Sequence, residues 1–485
     1  MKYMHLSITQ IHNAILKGEV TPIELVKEAL ELAKKDNNNA FEYICEKEAI
    51  EKAQNLDPSK KESLLYGIPT AIKDNFSTKG IPTTASSNML NGYVPIFSSE
   101  VVLRLEEMGA IIIGKTTMDE LAMGGGGIAG HLGATYNPWD ESKTHIIGGS
   151  SCGSAASVSA GIVPFSIGSD TGDSVRKPAS YSCLVGFKPT WGRISRFGLF
   201  QFAASLDHVA YFTRNVTDSA LLLNVLAGRD DKDFSSSFKP VEDYTSRLNE
   251  SIKGKKIAVI KEILDSITNK EIIDTFYKNL DSLREEGAII DYVSIDSKIL
   301  KAIYPTYILI SSAEATSNNA NLDGINFGKR EPGKTYEESM MNTRTKGFSK
   351  LIKRRFVLGG YSLLSENTNE LFVRAQKCRR VIVDAFNKVF EKYDAIYCPA
   401  SSNIVPTFKS YLEPSEDDYS LANDYMAFAN MGGYPSITLP LGFVQNLPFG
   451  VNLTGKPFSE SLLFSMAKSI ENTTNIHDLV AKKGN

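Results

Sequence analysis

The sequence predicts an α/β fold with a central mixed β-sheet covered by helices on both faces. Short apolar runs that are typical of buried strands alternate along the chain with segments whose apolar residues recur at helical spacing. Such alternation indicates a sheet with helices packed against it. The chain has 485 residues, of which 42% are hydrophobic, so it is long enough and apolar enough to bury a large core.

The first part of the chain is predicted to be helical. Apolar residues recur at helical spacing over 7–18 and 22–35. Thr21 can cap the second helix, and Pro22 suits its first position because a proline there removes no helical hydrogen bond. We therefore predict an N-terminal helical segment over 1–60.

Strands and helices alternate beyond that segment. GIPTAIKDNF and GAIIIGKTT predict two buried strands with a helix between them. The polar stretch 229–250 predicts a surface connection. A further α/β part is predicted over 255–475, with a final helix near 460–472. Its predicted strands are KKIAVIKE, AIIDYVSID, DAIYCPASS, YPSITLPLGF and FGVNLTG.

The composition argues against several classes of protein. The net charge of −3 gives no global electrostatic reason to expect nucleic acid or an anionic membrane as the main partner. The five cysteines include no CxxC pair and the six histidines include no HExxH motif, so neither a disulfide framework nor a metal site is predicted. No stretch has the length and apolar character of a membrane span or a secretion signal, and we expect a cytoplasmic protein.

Residues 124–198 form the most unusual part of the sequence. They contain 15 of the 36 glycines, and the run 144–169 has no Asp, Glu, Lys or Arg. Glycine-rich turns allow backbone N–H groups to face a ligand, although the same composition suits a tightly packed core. We therefore expect close backbone packing, an active site built from N–H groups and hydroxyls, or both.

Two short motifs do not fit their structural context. Gly109 to Thr116 matches the phosphate-loop pattern, but its four middle residues are the predicted strand itself, whereas a phosphate loop follows a strand. Ser151 lies in a G-x-S-x-G motif typical of α/β-hydrolases, which also need a later acid and histidine. Only His208 and His477 follow it. We favour neither a nucleotide site nor a histidine-dependent triad.

A lysine and two serines form a third constellation. Lys73, Ser150 and Ser174 lie in GIPTAIKDNF, IIGGSSCGS and GSDTGDSVRKPAS. A serine hydroxyl needs a base before it becomes a nucleophile, and a lysine can be that base when burial disfavours its ammonium form. An intervening serine can relay the proton. Taken alone, the same three residues would suit an exposed lysine and two packing serines much better.

Longer segments resemble the amidase signature family. The resemblance lies in GGSSCGSAASVSAGIVPFSIGSDTGDSVRKPAS, in LVGFKPTWGRISRFGLFQFAASLDHV, and in GIPTAIKDNF and GAIIIGKTTMDELAMG. It is specific over 66–210 and extends over nearly the whole chain. It implies the amidase signature fold, with Lys73 as general base, Ser150 as a bridging serine in a cis-peptide context, and Ser174 as nucleophile. The implied oxyanion hole consists of the backbone N–H groups of Thr171, Gly172, Asp173 and Ser174.

Outside the signature region, the chain is similar to family members that hydrolyse glutamine as subunits of tRNA-dependent amidotransferases. This similarity implies that Arg355 binds the α-carboxylate of glutamine, with Arg354 as the alternative. It further implies that Asp424 binds the α-amino group and that Tyr307 lies near the amide. A guanidinium suits a carboxylate, and an aspartate suits an ammonium. Without the resemblance, the arginine pair would indicate only a basic helix face.

The same similarity implies partners and cofactors. Ammonia would pass to a B subunit that amidates ATP-activated Glu-tRNA(Gln) or Asp-tRNA(Asn), and a small C subunit would complete a heterotrimer. The B subunit would bind most of the aminoacyl-tRNA. No cofactor or metal is expected in this chain, since the B subunit would bind ATP and Mg²⁺. The alternatives are a free-standing amidase for other small amides and a catalytically weak scaffold subunit.

The chain differs from the usual family sequence at two positions that bear on catalysis. Cys152 and Asp173 replace glycines of GGSSGGS and DTGGS. Cys152 has no histidine partner in the sequence, and we expect it to be a packing residue. A carboxylate facing the site would oppose the oxyanion and raise the pKa of Lys73. We therefore predict an active enzyme in which Asp173 points outward, toward Arg176 or Lys177.

The candidate residues lie far apart in the sequence, from Lys73 to Asp424. Because they must converge, we predict a single domain over 1–485 rather than the roughly three domains that the length would allow. Within it, 66–210 is the catalytic signature region and 255–475 contains the pocket for the acyl group.

Overall fold

Residues 2–414 and 420–481, which the computed structural model describes, contain one mixed β-sheet of 11 strands. In chain order, β1 to β11 are Phe41–Ile44, Pro69–Lys73, Ile111–Thr116, Ser166–Asp170, Val185–Lys188, His208–Thr213, Lys256–Ile260, Ile289–Val293, Ala395–Pro399, Ser436–Val444 and Leu447–Gly455. Their spatial order across the sheet is β1-β3-β2-β4-β6-β5-β10-β11-β9-β7-β8. The α/β class is confirmed, and each strand that the sequence predicts is present.

The pairing of the strands makes the sheet mixed. β2 lies parallel to β3 and β4, and β7 lies parallel to β8 and β9. The other neighbouring strands are antiparallel. The carboxyl ends of parallel strands meet at the same edge of a sheet, so Lys73 at the end of β2 and Asp170 at the end of β4 lie on one edge.

Helices surround the sheet in the same described residues. In chain order α1 to α17 they are Ile8–Leu16, Pro22–Lys34, Glu46–Gln54, Glu100–Glu107, Cys152–Ser159, Arg176–Tyr181, Val216–Leu226, Lys261–Leu264, Lys270–Glu285, Ser297–Asn318, Tyr336–Gly347, Lys350–Leu363, Arg374–Phe390, Phe408–Leu412, Leu421–Asp424, Phe428–Met431 and Glu460–Thr474. The two helices predicted near the N-terminus are α1 and α2. Thr21 and Glu24 form a reciprocal capping box before α2, and Pro22 is its first residue.

Helices cover both faces of the sheet, as two adjacent residues of β5 demonstrate. A Cβ atom on Gly186 would lie 2.5 Å from the Cβ of Ala179, so α6 packs directly on the backbone of one face. The next side chain along a strand points to the other face. There the ring of Phe187 lies 4.5 Å from the ring of Phe464 in α17, measured between centroids. The site described below lies on the α6 side of this layer.

The predicted surface connection over 229–250 consists of turns and irregular segments. It is nevertheless anchored, because Tyr244 is buried and its hydroxyl accepts a hydrogen bond from Arg193 Nε at 2.5 Å. Nowhere in the described residues does a helix combine the length and the hydropathy that crossing a bilayer requires.

Candidate active site

Lys73, the last residue of β2, is fully buried. Its Nζ lies 2.8 Å from both Ser150 Oγ and Ser151 Oγ, and 2.9 Å from Ser169 Oγ. All of its hydrogen-bond partners in the described part of the chain are serine oxygens. Burial disfavours the ammonium form and lowers the pKa of Lys73 to about 7. An amine with this pKa can accept a proton near neutral pH.

Ser150 and Ser151 both contact Lys73 but differ in their other contacts. Ser151 Oγ donates to the Ser169 carbonyl oxygen at 3.0 Å, and the Ser151 N–H donates to the Ser174 carbonyl oxygen at 3.2 Å. Ser150 follows a cis peptide bond, and its Oγ has Lys73 as its only partner among the described residues. Ser150 is therefore the hydroxyl that is available to a further group.

Asp119 orders the glycine-rich segment beside these serines. Its carboxylate accepts hydrogen bonds from the N–H groups of Gly127, Ile128 and Ala129, at 2.8 to 2.9 Å. Its own N–H donates to the Ser150 carbonyl oxygen at 3.2 Å. One buried carboxylate thus connects the glycine-rich loop to the serine that contacts Lys73.

Ser174 lies in the turn between β4 and α6, and only 4% of its surface is exposed. The four consecutive backbone N–H groups of 171–174 donate to no acceptor in residues 2–414 and 420–481. Buried backbone N–H groups are nearly always paired in proteins. Adjacent unpaired donors beside a serine suit the stabilisation of a developing oxyanion.

Two buried carboxylates bind side chains of this turn and its flanks. Asp170 Oδ1 lies 2.9 Å from Arg176 Nη2, and although burial opposes ionisation, this guanidinium holds the pKa of Asp170 well below its usual range. Asp207 accepts a hydrogen bond from Thr171 Oγ1 at 2.7 Å, and burial raises its pKa to about 6. Neither carboxylate was predicted from the sequence to be a site residue. The only indication of their importance in the sequence is that both lie in the segments that resemble the amidase signature family.

Tyr307 and Arg355 come from α10 and α12 and lie close to the same turn. A Cβ atom on Gly172 would lie 2.9 Å from Tyr307 Cζ, so the tyrosine ring packs against the residue two before Ser174. Burial raises the pKa of Tyr307, and the nearby charge of Arg355 opposes that shift. Arg354 is exposed, so Arg355 is the arginine that adjoins the tyrosine.

Asp424, the last residue of α15, is half-buried. Burial raises its pKa, and the ammonium of Lys177 opposes that shift. The Lys177 Nζ donates to the carbonyl oxygens of Ala400 and Asn423, at 2.8 and 2.9 Å. The ammonium of Lys177 therefore lies beside Asp424.

Asp173 forms no hydrogen bond or ion pair with Arg176 or Lys177, the residues toward which it was predicted to point. The guanidinium of Arg176 is bound to Asp170, and the ammonium of Lys177 is bound to backbone carbonyls. Asp173 is half-buried rather than directed into solvent, and burial raises its pKa to about 6. The predicted outward direction is therefore not observed, whereas Lys177, one of the two predicted neighbours, does act on the carboxylate, because its positive charge is the main influence opposing the rise in the pKa of Asp173. The Asp173 carboxylate also acts electrostatically on Tyr307 and is itself influenced by Asp424.

The two rejected motifs have structural explanations. The sequence that matches the phosphate-loop pattern forms β3, apart from its first two residues. Its lysine, Lys115, is buried, and its Nζ lies 3.5 Å from Asp74 Oδ1. Among residues 2–414 and 420–481, Ser151 has no histidine partner, because His208 is buried against the Leu206 carbonyl oxygen and the His477 ring lies beside Asp478. In the described part of the chain, no group of three or more His, Cys, Asp or Glu side chains is arranged to hold a metal ion.

Comparison with known proteins shows the family. The family model described as Amidase matches residues 24–464. The A subunit of glutamyl-tRNA(Gln) amidotransferase from Pediococcus pentosaceus is 40% identical over 483 residues, which cover 98% of each chain. The corresponding protein of Streptococcus pneumoniae strain G54 has the same identity and coverage.

Solved structures agree with the fold. The crystal structure of the A subunit of glutamyl-tRNA(Gln) amidotransferase from Thermotoga maritima matches with a TM-score of 0.79 and 32% identity, covering 98% of this chain and 96% of that one. Peptide amidase from Stenotrophomonas maltophilia matches with a TM-score of 0.79 and 24% identity, covering 97% of each chain, which supports the fold alone. The chain therefore belongs to the amidase signature family of enzymes, as its sequence resemblance predicts.

Proposed function

We propose that this chain is the glutamine-hydrolysing subunit of a tRNA-dependent amidotransferase and that it uses a Ser-Ser-Lys mechanism. The contact of 2.8 Å between Lys73 Nζ and Ser150 Oγ, next to the turn that contains Ser174, is the observation that carries the mechanism. Similarity over 98% of the length of relatives named as amidotransferase A subunits supports the biological role.

Proton transfer begins the proposed reaction. Neutral Lys73 accepts a proton from Ser150 as Ser150 accepts one from Ser174, and Ser174 Oγ attacks the carboxamide carbon of glutamine. The N–H groups of 171–174 stabilise the oxyanion of the tetrahedral intermediate. Return of the proton through Ser150 to the amide nitrogen allows ammonia to leave. Water then hydrolyses the glutamyl ester on Ser174 with the same lysine as base, and glutamate is released.

Three side chains are proposed to recognise the donor. Arg355 binds the α-carboxylate, Asp424 binds the α-ammonium, and Tyr307 lies against the turn where the amide reacts. The position of Tyr307 against Gly172 supports this arrangement, as does the proximity of Arg355 to Tyr307. A donor with both charges would then be oriented before attack, which lowers the entropic part of the barrier.

The proposed role requires partners. A B subunit would bind the aminoacyl-tRNA, ATP and Mg²⁺ and would use the ammonia to convert Glu-tRNA(Gln) to Gln-tRNA(Gln), Asp-tRNA(Asn) to Asn-tRNA(Asn), or both. A C subunit would complete a cytoplasmic heterotrimer. Similarity to named amidotransferase subunits supports this assembly, and the chain itself would need no cofactor.

Ammonia release from glutamine by the chain assembled with its B and C subunits tests the proposal. Ser174→Ala is expected to abolish release. Arg355→Ala is expected to raise the KM for glutamine by about 100-fold, because a charge-assisted contact is lost. Arg354→Ala is the matched control, since this neighbour is exposed, and it should leave KM unchanged.

Two results would replace the proposal with an alternative. Hydrolysis of uncharged small amides that depends on Ser174 but not on Arg355 would indicate a free-standing amidase. Absence of hydrolysis by the intact wild-type complex would indicate that the chain serves only as a scaffold.

A further inference from the structure

Asp173 is a carboxylate beside the proposed nucleophile, and the ammonium of Lys177 is the strongest attracting charge that acts on it. Within residues 2–414 and 420–481 its side chain forms no hydrogen bond and no ion pair, although it is half-buried. A carboxylate removed from water without a partner is unfavourable. The position therefore depends on a nearby positive charge, which Lys177 supplies.

Backbone geometry places Asp173 and Lys177 on one side of the turn. The Lys177 N–H donates to the Asp173 carbonyl oxygen at 2.8 Å, so the two residues lie one helical turn apart, where side chains are neighbours. The Lys177 Nζ donates to the Asn423 carbonyl oxygen at 2.9 Å, which places the ammonium next to Asp424. Two carboxylates and one ammonium therefore converge beside Ser174.

The balance of these charges decides what the pocket can bind. If Lys177 and Asp424 were the only charged groups there, they would neutralise each other, and no net negative charge would remain for an α-ammonium. Asp173 adds one negative charge, so the three groups together carry one net negative charge. Because the site is largely removed from water, such a charge acts strongly on a nearby cation.

We infer that Asp173 is a specificity residue for the donor, which compensates Lys177 so that the carboxylates of Asp173 and Asp424 retain one net negative charge for the α-ammonium of an amino-acid amide. The inference rests on the proposed glutamine hydrolysis. It assigns a binding role to the side chain that replaces the usual family glycine, separate from the oxyanion role proposed for the backbone N–H of the same residue.

Two donors and four proteins test the inference in the assembled complex. The donors are glutamine and glutaramate, which is glutamine without its α-amino group. Asp173→Asn should raise the KM for glutamine by about 10-fold and leave the KM for glutaramate unchanged, because only glutamine supplies the ammonium. The kcat for both donors should change little. Asp231→Asn is the control, since this aspartate is 90% exposed and lies elsewhere.

Removing the opposing cation should rescue the variant. Asp173→Asn combined with Lys177→Gln restores one net negative charge through Asp424, so the KM for glutamine should return to near the wild-type value. Lys177→Gln alone leaves both carboxylates in place and should keep or lower that KM. This single variant also tests the inference if Asp173→Asn fails to fold.

Several results would overturn the inference. For Asp173→Asn, these results are an equal change in KM for both donors or a loss of kcat with no change in KM. For the double variant, the result is a KM for glutamine that rises further instead of returning toward the wild-type value. For Lys177→Gln alone, it is a 10-fold rise in the KM for glutamine. Failure of the wild-type complex to hydrolyse glutamine would overturn the proposed function. If the complex hydrolyses glutamine and Asp173→Asn leaves the KM for glutamine unchanged, only this inference is overturned.

Discussion

Two buried lysines on neighbouring strands have opposite surroundings. Lys73 ends β2 and Lys115 lies on β3, and their strands pair in parallel with Lys115 opposite Ile72. Both side chains are 0% exposed, and burial lowers the pKa of both. Lys115 lies 3.5 Å from Asp74, which favours its charged form, whereas Lys73 contacts serine oxygens.

The difference shows that burial alone does not produce a base. An adjacent carboxylate returns part of the stabilisation that an ammonium loses on leaving water, and the pair then serves the fold. Lys115 also donates to Thr83 Oγ1 at 2.8 Å and to the Phe76 carbonyl oxygen at 2.8 Å, so it ties three segments together. Lys73 has no carboxylate in hydrogen-bond range in the described residues, and it can change its protonation state.

Replacing each lysine by methionine tests the contrast with the largest expected effects. Lys73→Met should lower kcat for glutamine hydrolysis by about 10²- to 10⁴-fold, because it removes the general base, and should barely change the free energy of unfolding. Lys115→Met should lower the free energy of unfolding by about 3–5 kcal/mol, because the buried Asp74 carboxylate loses its cation. Steady-state ammonia release and denaturant unfolding measure the two effects.

The proposed contrast between the two lysines would be wrong if Lys115→Met lowered kcat and Lys73→Met lowered the free energy of unfolding. A large loss of kcat in folded Lys115→Met would assign chemistry to β3. Strong destabilisation by Lys73→Met with normal kcat would make Lys73 a structural residue.

The two serines that contact Lys73 should differ in the next largest effect. Ser150→Ala should lower kcat by about 100-fold or more, since it removes the proposed relay. Ser151→Ala should have a smaller effect on kcat, because its hydroxyl donates to the Ser169 carbonyl oxygen. Both variants lose one contact with Lys73, so each controls for the other. Equal losses of kcat would contradict a specific relay through Ser150.

The pH dependence of kcat/KM should report the protonation of Lys73. The neutral amine is the active form and its pKa is about 7, so activity is present above this pH and is lost as pH falls through it. Below the pKa, kcat/KM should fall by about tenfold per pH unit, as for any single required base. Ammonia release between pH 5.5 and 9 in the assembled complex, expressed per folded protein, measures the profile. A flat profile from about pH 6 to 8.5 would contradict this role.

Cys152 should have the smallest effect. Burial raises the pKa of its thiol to about 12, so the thiolate needed for nucleophilic attack is scarce at neutral pH. Its Sγ packs 3.3 Å from Thr135 Oγ1. Cys152→Ala should change kcat by less than about threefold and cost about 1 kcal/mol of stability, as expected for a small packing residue. Loss of ammonia release in this variant would instead indicate thiol chemistry.

The sequence predicts most strands that have a clear apolar pattern, although β6, with the sequence HVAYFT, is not among the predicted strands. β2 and β3, which are largely apolar, correspond to segments predicted to be strands, as do the strands from β7 onward. β4 has the sequence SIGSD, whose small and polar residues resemble a loop, yet the sheet buries every one of them. Its strand structure comes from pairing with β2 and β6, which periodicity does not reveal.

The candidate site divides in a similar way. Lys73, Ser150 and Ser174 stand out through the resemblance to a known family, and the structure places Lys73 against Ser150. Asp119 and Asp207 were not predicted, because each binds backbone or hydroxyl groups whose positions depend on the folded loops rather than on a sequence pattern. The position of Asp173 could not be inferred either, since it depends on where Arg176 and Lys177 find their partners in three dimensions.

Covalent trapping tests most directly whether Ser174 is the nucleophile that Lys73 activates. The assembled complex is treated with a glutamine-analogue electrophile, and the modified residue is located by peptide mass spectrometry. We expect one adduct on Ser174, no adduct in Ser174→Ala, and labelling slowed by about 100-fold or more in Lys73→Met. An adduct on Cys152, or labelling of Ser174 at the wild-type rate without Lys73, would contradict the proposed mechanism.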